Sequence, residues 1–91
     1  MQVRWSPEAG DDFIRIVEYV RERSPVASSR LARRMYQTIM SLRDHPERGR
    51  SGRVDGTREL VLAPLPYVVV YRVFIDTVEV ARVLHGAQRW P

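Results

Sequence analysis

From residue 7 onward the apolar residues of this chain change their spacing once, from a helical period before residue 45 to a two-residue period after residue 57, and that change confines the chain to an α+β fold. In the first part, Ala9, Phe13, Ile16, Val17 and Val20 recur on one helical face, with Asp11, Asp12, Arg15 and Glu18 largely elsewhere. Ser6-Pro7-Glu8 opens this helix with a serine cap, a proline at the first helical position and an acid in the first turn. It is expected to run to about Arg23. Ser24-Pro25 repeats the cap at once, and Ala27, Leu31, Met35, Ile39 and Leu42 form a second stripe. Pro46 disfavours helix at His45, so the second helix should stop near Asp44. Two amphipathic helices joined by so short a link form an antiparallel hairpin over about residues 7–44.

The remainder reads as sheet. Gln2 to Trp5 alternate as a short strand does. Residues 47–56, ERGRSGRVDG, carry three glycines and three arginines and are expected to be a loop. Gly49, Gly52 and Gly56 read as turn residues, because no phosphate-cradling spacing surrounds them. Arg58 to Leu62 follows as a strand, Pro64 and Pro66 bracket a connection, and Tyr67 to Phe74 and Val78 to His85 are β-prone runs joined by a short turn. Tyr67 and Tyr71 fall on the strand face of Val69 and are expected to pack in the core. The predicted order is β-α-α-β-β-β: an N-terminal strand and a helical hairpin packed on one face of a largely antiparallel sheet, with strands over 58–85 and an irregular tail over 86–91. Residues 1–91 are expected to form one domain.

Composition narrows the chemistry. The absence of cysteine excludes disulfides, thiolate metal sites and a cysteine nucleophile. Two separated histidines without matched carboxylates suggest no metal site, and no cofactor is expected. The start has no signal-peptide pattern and no segment is long enough to span a bilayer, so a cytoplasmic protein without a membrane partner is expected. All fifteen basic residues are arginine against eleven acids, a net charge of +4. Arginine binds phosphate and carboxylate in a planar fork, so a polyanionic partner and a merely solvated surface both fit.

Three segments carry a family likeness. V-R-W-S-P-E-A (Val3–Ala9) resembles the start of ParE-type toxins. G-R-V-D-G-T-R-E-L (Gly52–Leu60), then P-Y-V-V-V-Y-R-V (Pro66–Val73), then R-V-L-H-G-A-Q-R-W-P (Arg82–Pro91) resemble the C-terminal half of the RelE/ParE superfamily, toxins of type II toxin–antitoxin systems. The resemblance implies the compact toxin fold and a cognate antitoxin that neutralises the chain in a hetero-oligomer. It leaves two targets open. ParE-like members are similar to proteins that poison DNA gyrase by binding; RelE-like members cleave mRNA on the ribosome. An inactive member that only binds its antitoxin is a further alternative.

RNA cleavage needs a base, an acid and cations to hold developing phosphorane charge. His85, Arg58 and Arg72 are the candidates for that role, with Glu59 and Arg82 nearby in the sequence. RelE-like ribonucleases typically carry lysines or a glutamate–histidine pair and an aromatic near the C-terminus. Here lysine is absent, and His85 is followed by Gly86-Ala87-Gln88 with Trp90 five residues on. A gyrase-binding toxin needs instead a shaped basic surface, for which Arg50, Arg53, Arg82, Arg89 and Trp90 are the candidates. The long helical hairpin is similar to ParE-like members, so gyrase binding is the preferred expectation. The antitoxin contacts are not assigned.

Overall fold

The computed structural model describes residues 1–86 and 88–91; Ala87, within the tail expected to be irregular, lies outside the described residues. The chain runs β1 (Gln2–Trp5), α1 (Pro7–Arg21), α2 (Pro25–Met40), a 3-10 turn (Ser41–Arg43), β2 (Arg50–Ser51), β3 (Arg58–Val61), β4 (Tyr67–Val73) and β5 (Thr77–His85). The strands form one mixed sheet ordered β1-β5-β4-β3-β2, in which β1 runs parallel to β5 and every other pair is antiparallel.

Both Ser-Pro signals work as read. Ser6 Oγ accepts the Ala9 N–H at 3.0 Å and Ser24 Oγ accepts the Ala27 N–H at 3.1 Å, each satisfying a donor that the first helical turn leaves unpaired. The hairpin presents Ala9, Leu31, Met35, Ile39 and Leu42 to Val69, Tyr71, Val78, Val80 and Val83 of the sheet. Burying each of the leucine, isoleucine, methionine and valine side chains stabilises by about 1.5–3 kcal/mol. Trp5 closes the end of this core, edge-on to Phe13 at 5.4 Å and stacked on Tyr36 at 6.5 Å.

Five details differ from the expectation. The second helix tightens into a 3-10 turn at Ser41–Arg43, and α1 ends at Arg21. The loop at residues 47–56 contains the two-residue strand β2, which exists only through its pairing with β3. Ser28, not Ala27, occupies the buried position at the start of α2, its hydroxyl satisfied by the Pro25 carbonyl at 3.0 Å. Asp12, grouped with the polar residues, is buried.

The last difference follows from how β5 ends. β1 stops at Trp5, opposite Val80, so the second half of β5 has no strand on that side. The start of α1 covers the exposed edge. The Ser6 N–H donates to the Val80 carbonyl at 2.9 Å, Ser6 Oγ donates to the Ala81 carbonyl at 2.8 Å, and Asp12 Oδ2 accepts the Val83 N–H at 3.0 Å. A bulge at Ala81, where Val70 faces Arg82 and Tyr71 faces Val80, shifts the alternation so that Val78, Val80 and Val83 all reach the core. No helix among the described residues is long and apolar enough to cross a membrane.

Candidate functional site

The helices cover one face of the sheet. On the opposite face, Val70, Ala81 and Leu84 form a small apolar cluster, and the half-buried Trp90 of the C-terminal tail packs on it. Trp90 thereby borders two concavities at once. The first, of about 100 Å³, is lined by Arg50, Arg53, Glu59, His85 and Gln88. The second, of about 370 Å³, is lined by Glu8, Arg72, Glu79 and Arg82. Four of the five positions expected to bind a target, Arg50, Arg53, Arg82 and Trp90, therefore lie on one surface. Arg89 is exposed beside Trp90 in sequence but lines neither concavity.

Each charged group has a specific setting. Glu59 accepts the Arg53 backbone N–H at 3.0 Å and the Arg50 guanidinium at 3.3 Å, clipping the 47–56 loop to β3. The Arg53 N–H is the main cause holding the Glu59 carboxyl below its ordinary range, against the opposing effect of burial. Arg82 donates through Nε and Nη2 to the two carboxylate oxygens of Asp12, at 2.7 and 3.0 Å. The Asp12 hydrogen bonds push the Arg82 guanidinium above its ordinary range.

The three residues considered for RNA cleavage border different concavities. Arg58 donates to the Gly49 carbonyl at 2.8 Å and the Glu47 carbonyl at 3.4 Å, behind the loop. There it lines a depression with Ser51, Gly52, residues 54–57 and Val73. Arg72 lies in the second concavity beside Trp90. His85, at the end of β5, borders the first concavity and also one on the helical side with Tyr19 and Tyr67, whose ring it meets edge-on at 5.9 Å.

Beneath this surface, Tyr71 fixes the loop. Its hydroxyl accepts the Gly49 N–H at 2.8 Å and donates to the Pro46 carbonyl at 2.7 Å. Gly49 is required by close approach: a Cβ there would stand 2.7 Å from the Tyr71 hydroxyl oxygen and 2.9 Å from the Glu59 carbonyl. Gly56 does meet a turn requirement, with φ +80°. Asp12 and Tyr71 are the residues of this region that sequence reasoning assigned no role at the site. Helical phase could have found Asp12, three residues after Ala9 and four before Ile16.

Comparison with known proteins gives one family. The family model described as ParE toxin of type II toxin-antitoxin system, parDE, matches residues 3–90. The chain is 38% identical over 90 residues to a putative toxin Y4kP of Sinorhizobium fredii, covering 99% of this chain and 93% of that one. It is 39% identical over 87 residues to toxin RelE2 of Caulobacter vibrioides, covering 96% of this chain and 97% of that one. A solved structure of the chromosomal ParDE TA system from P. aeruginosa superposes with a TM-score of 0.82 at 23% identity, over 93% of this chain and 95% of that chain. The chain therefore belongs to the ParE toxin family of type II toxin–antitoxin systems.

Proposed function

We propose that this single-domain toxin acts in the cytoplasm, stops growth by binding and poisoning DNA gyrase, and is neutralised by a cognate antitoxin. The observation that carries the reading is the position of Trp90 where two arginine-bearing concavities meet. An aromatic side chain anchored on an apolar base and surrounded by guanidinium groups is the composition of a binding hot spot. Two of the groups that cleavage chemistry would use are engaged in holding the structure: Glu59 by the loop and Arg58 by two carbonyls. In a supercoiling assay with purified gyrase, the toxin should inhibit at micromolar concentration, and Trp90→Ala should abolish inhibition while keeping its circular dichroism and melting temperature. Supercoiling untouched by the folded wild-type chain would overturn the reading.

One observation favours a second reading, that of a ribosome-dependent mRNA interferase. Glu59 and His85 border the same concavity as Arg50 and Arg53, and two relatives in Caulobacter vibrioides carry RelE names. On that reading, His85→Ala yields a folded, antitoxin-binding chain that no longer cuts mRNA on ribosomes. Wild-type chain that leaves ribosome-bound mRNA intact removes it.

The antitoxin is inferred to cover the apolar concavity between β1 and the helices, where Ile14 and Tyr36 are half exposed beside Trp5 and Phe13. An amphipathic segment that folds on binding suits such a surface.

A further inference from the structure

The arginines around Trp90 are not equivalent. Arg50 is paired with Glu59 at 3.3 Å and Arg82 with Asp12 at 2.7 Å, so each brings its own counter-charge. The guanidinium groups of Arg53 and Arg72 form no ion pair or hydrogen bond among the described residues. Arg53 contributes only its backbone N–H to Glu59, and its charge acts on that carboxylate at longer range. One of these two lines each concavity, and Trp90 stands between them.

We propose that this surface receives an acidic protein segment, with one carboxylate on Arg53, one on Arg72 and an apolar side chain against Trp90. The inference rests on the gyrase-binding reading and names the kind of gyrase surface involved. The charges favour a polypeptide over nucleic acid. Glu59 lines the first concavity and Glu8 and Glu79 line the second, so acids are interspersed with the bases across the surface. A nucleic-acid strand carries a phosphate at every nucleotide and would meet these carboxylates along its path. A polypeptide can place two acids at chosen positions and leave the rest neutral.

The experiment measures affinity for purified gyrase without DNA, and for fluorescein-labelled single-stranded and duplex oligonucleotides. The chains compared are wild type, Arg53→Gln, Arg72→Gln and, as a control for lost charge, Arg33→Gln on the exposed side of α2. Gyrase binding should weaken roughly three- to tenfold for Arg53→Gln and for Arg72→Gln, the span expected for one partly exposed ion pair. Arg33→Gln should bind as wild type does, and no chain should bind the oligonucleotides. Equal gyrase affinity in all four chains overturns the proposal. So does oligonucleotide binding that falls in the Arg53 and Arg72 variants, which would make nucleic acid the occupant. If wild type binds no gyrase, the gyrase reading fails on its own. Growth arrest by the same variants, matched for melting temperature, then decides for the surface. Relief in the Arg53 and Arg72 variants alone, without oligonucleotide binding, upholds an acidic protein target. Equal arrest overturns it.

Discussion

Asp12 holds Arg82 through both carboxylate oxygens, at 2.7 and 3.0 Å, while one of those oxygens also accepts the Val83 backbone N–H at 3.0 Å. A single buried carboxylate thus joins α1 to the strand edge that β1 leaves uncovered, and fixes a guanidinium beside Trp90. Arg82→Ala removes two charge-assisted hydrogen bonds but leaves Asp12 on the Val83 N–H, so it should destabilise by roughly 1.5–3 kcal/mol. Asp12→Asn keeps one oxygen that can still accept from Val83 or Arg82 and should cost less. Urea unfolding of wild type and both variants checks the order; variants as stable as wild type would show the pair to be dispensable.

Tyr71 joins the core to the loop through two hydrogen bonds. Tyr71→Phe leaves the Gly49 N–H and the Pro46 carbonyl without that partner and should cost about 1–3 kcal/mol. Burial raises the Tyr71 pKa above its ordinary value of 10.0. The group is an acid favoured in its neutral form when folded. Its contribution is therefore complete below the unfolded pKa and is lost as pH rises through the folded one. Wild-type stability should fall at alkaline pH by an amount missing from Tyr71→Phe, as measured by denaturant titration on both sides of pH 10.

Glu59 gives the opposite sign. Its folded pKa lies below 4.5, chiefly through the Arg53 N–H. The clip is therefore complete above the unfolded pKa and is lost as pH falls through the lower folded value. Hydrogen exchange at the Arg53 amide, corrected for intrinsic rate, should accelerate across that acid range in wild type. In Glu59→Gln it should show no such titration.

The apolar concavity beside Trp5 separates neutralisation from toxicity. Ile14→Asp should weaken antitoxin binding by tenfold or more, since it places a charge in an apolar contact. It should leave growth arrest intact, because Ile14 lies on the helical side and is 55% exposed. Growth arrest that the antitoxin still rescues at the wild-type ratio would place the antitoxin elsewhere.

The helical hairpin and four of the five strands were legible because local signals set them. Two Ser-Pro caps, two apolar stripes and a switch to alternation require no knowledge of the partner element. What was hidden depends on pairing. β2 is two residues that become a strand only against β3, and the bulge at Ala81 appears only in register with β4. Asp12 has the residue type of a solvated face although its helical phase is that of Ala9 and Ile16. The surface around Trp90 was legible as a set of arginines, but their division into paired and unpaired groups was not. It depends on Asp12 and Glu59 arriving from 70 and 9 residues away in the sequence.

The most direct measurement is a time course after inducing this chain without its antitoxin, following labelled thymidine and labelled amino acid incorporation in parallel. DNA synthesis should fail first, with a rise in a DNA-damage reporter, and Trp90→Ala should delay both effects. Translation that collapses while DNA synthesis continues would contradict gyrase as the target.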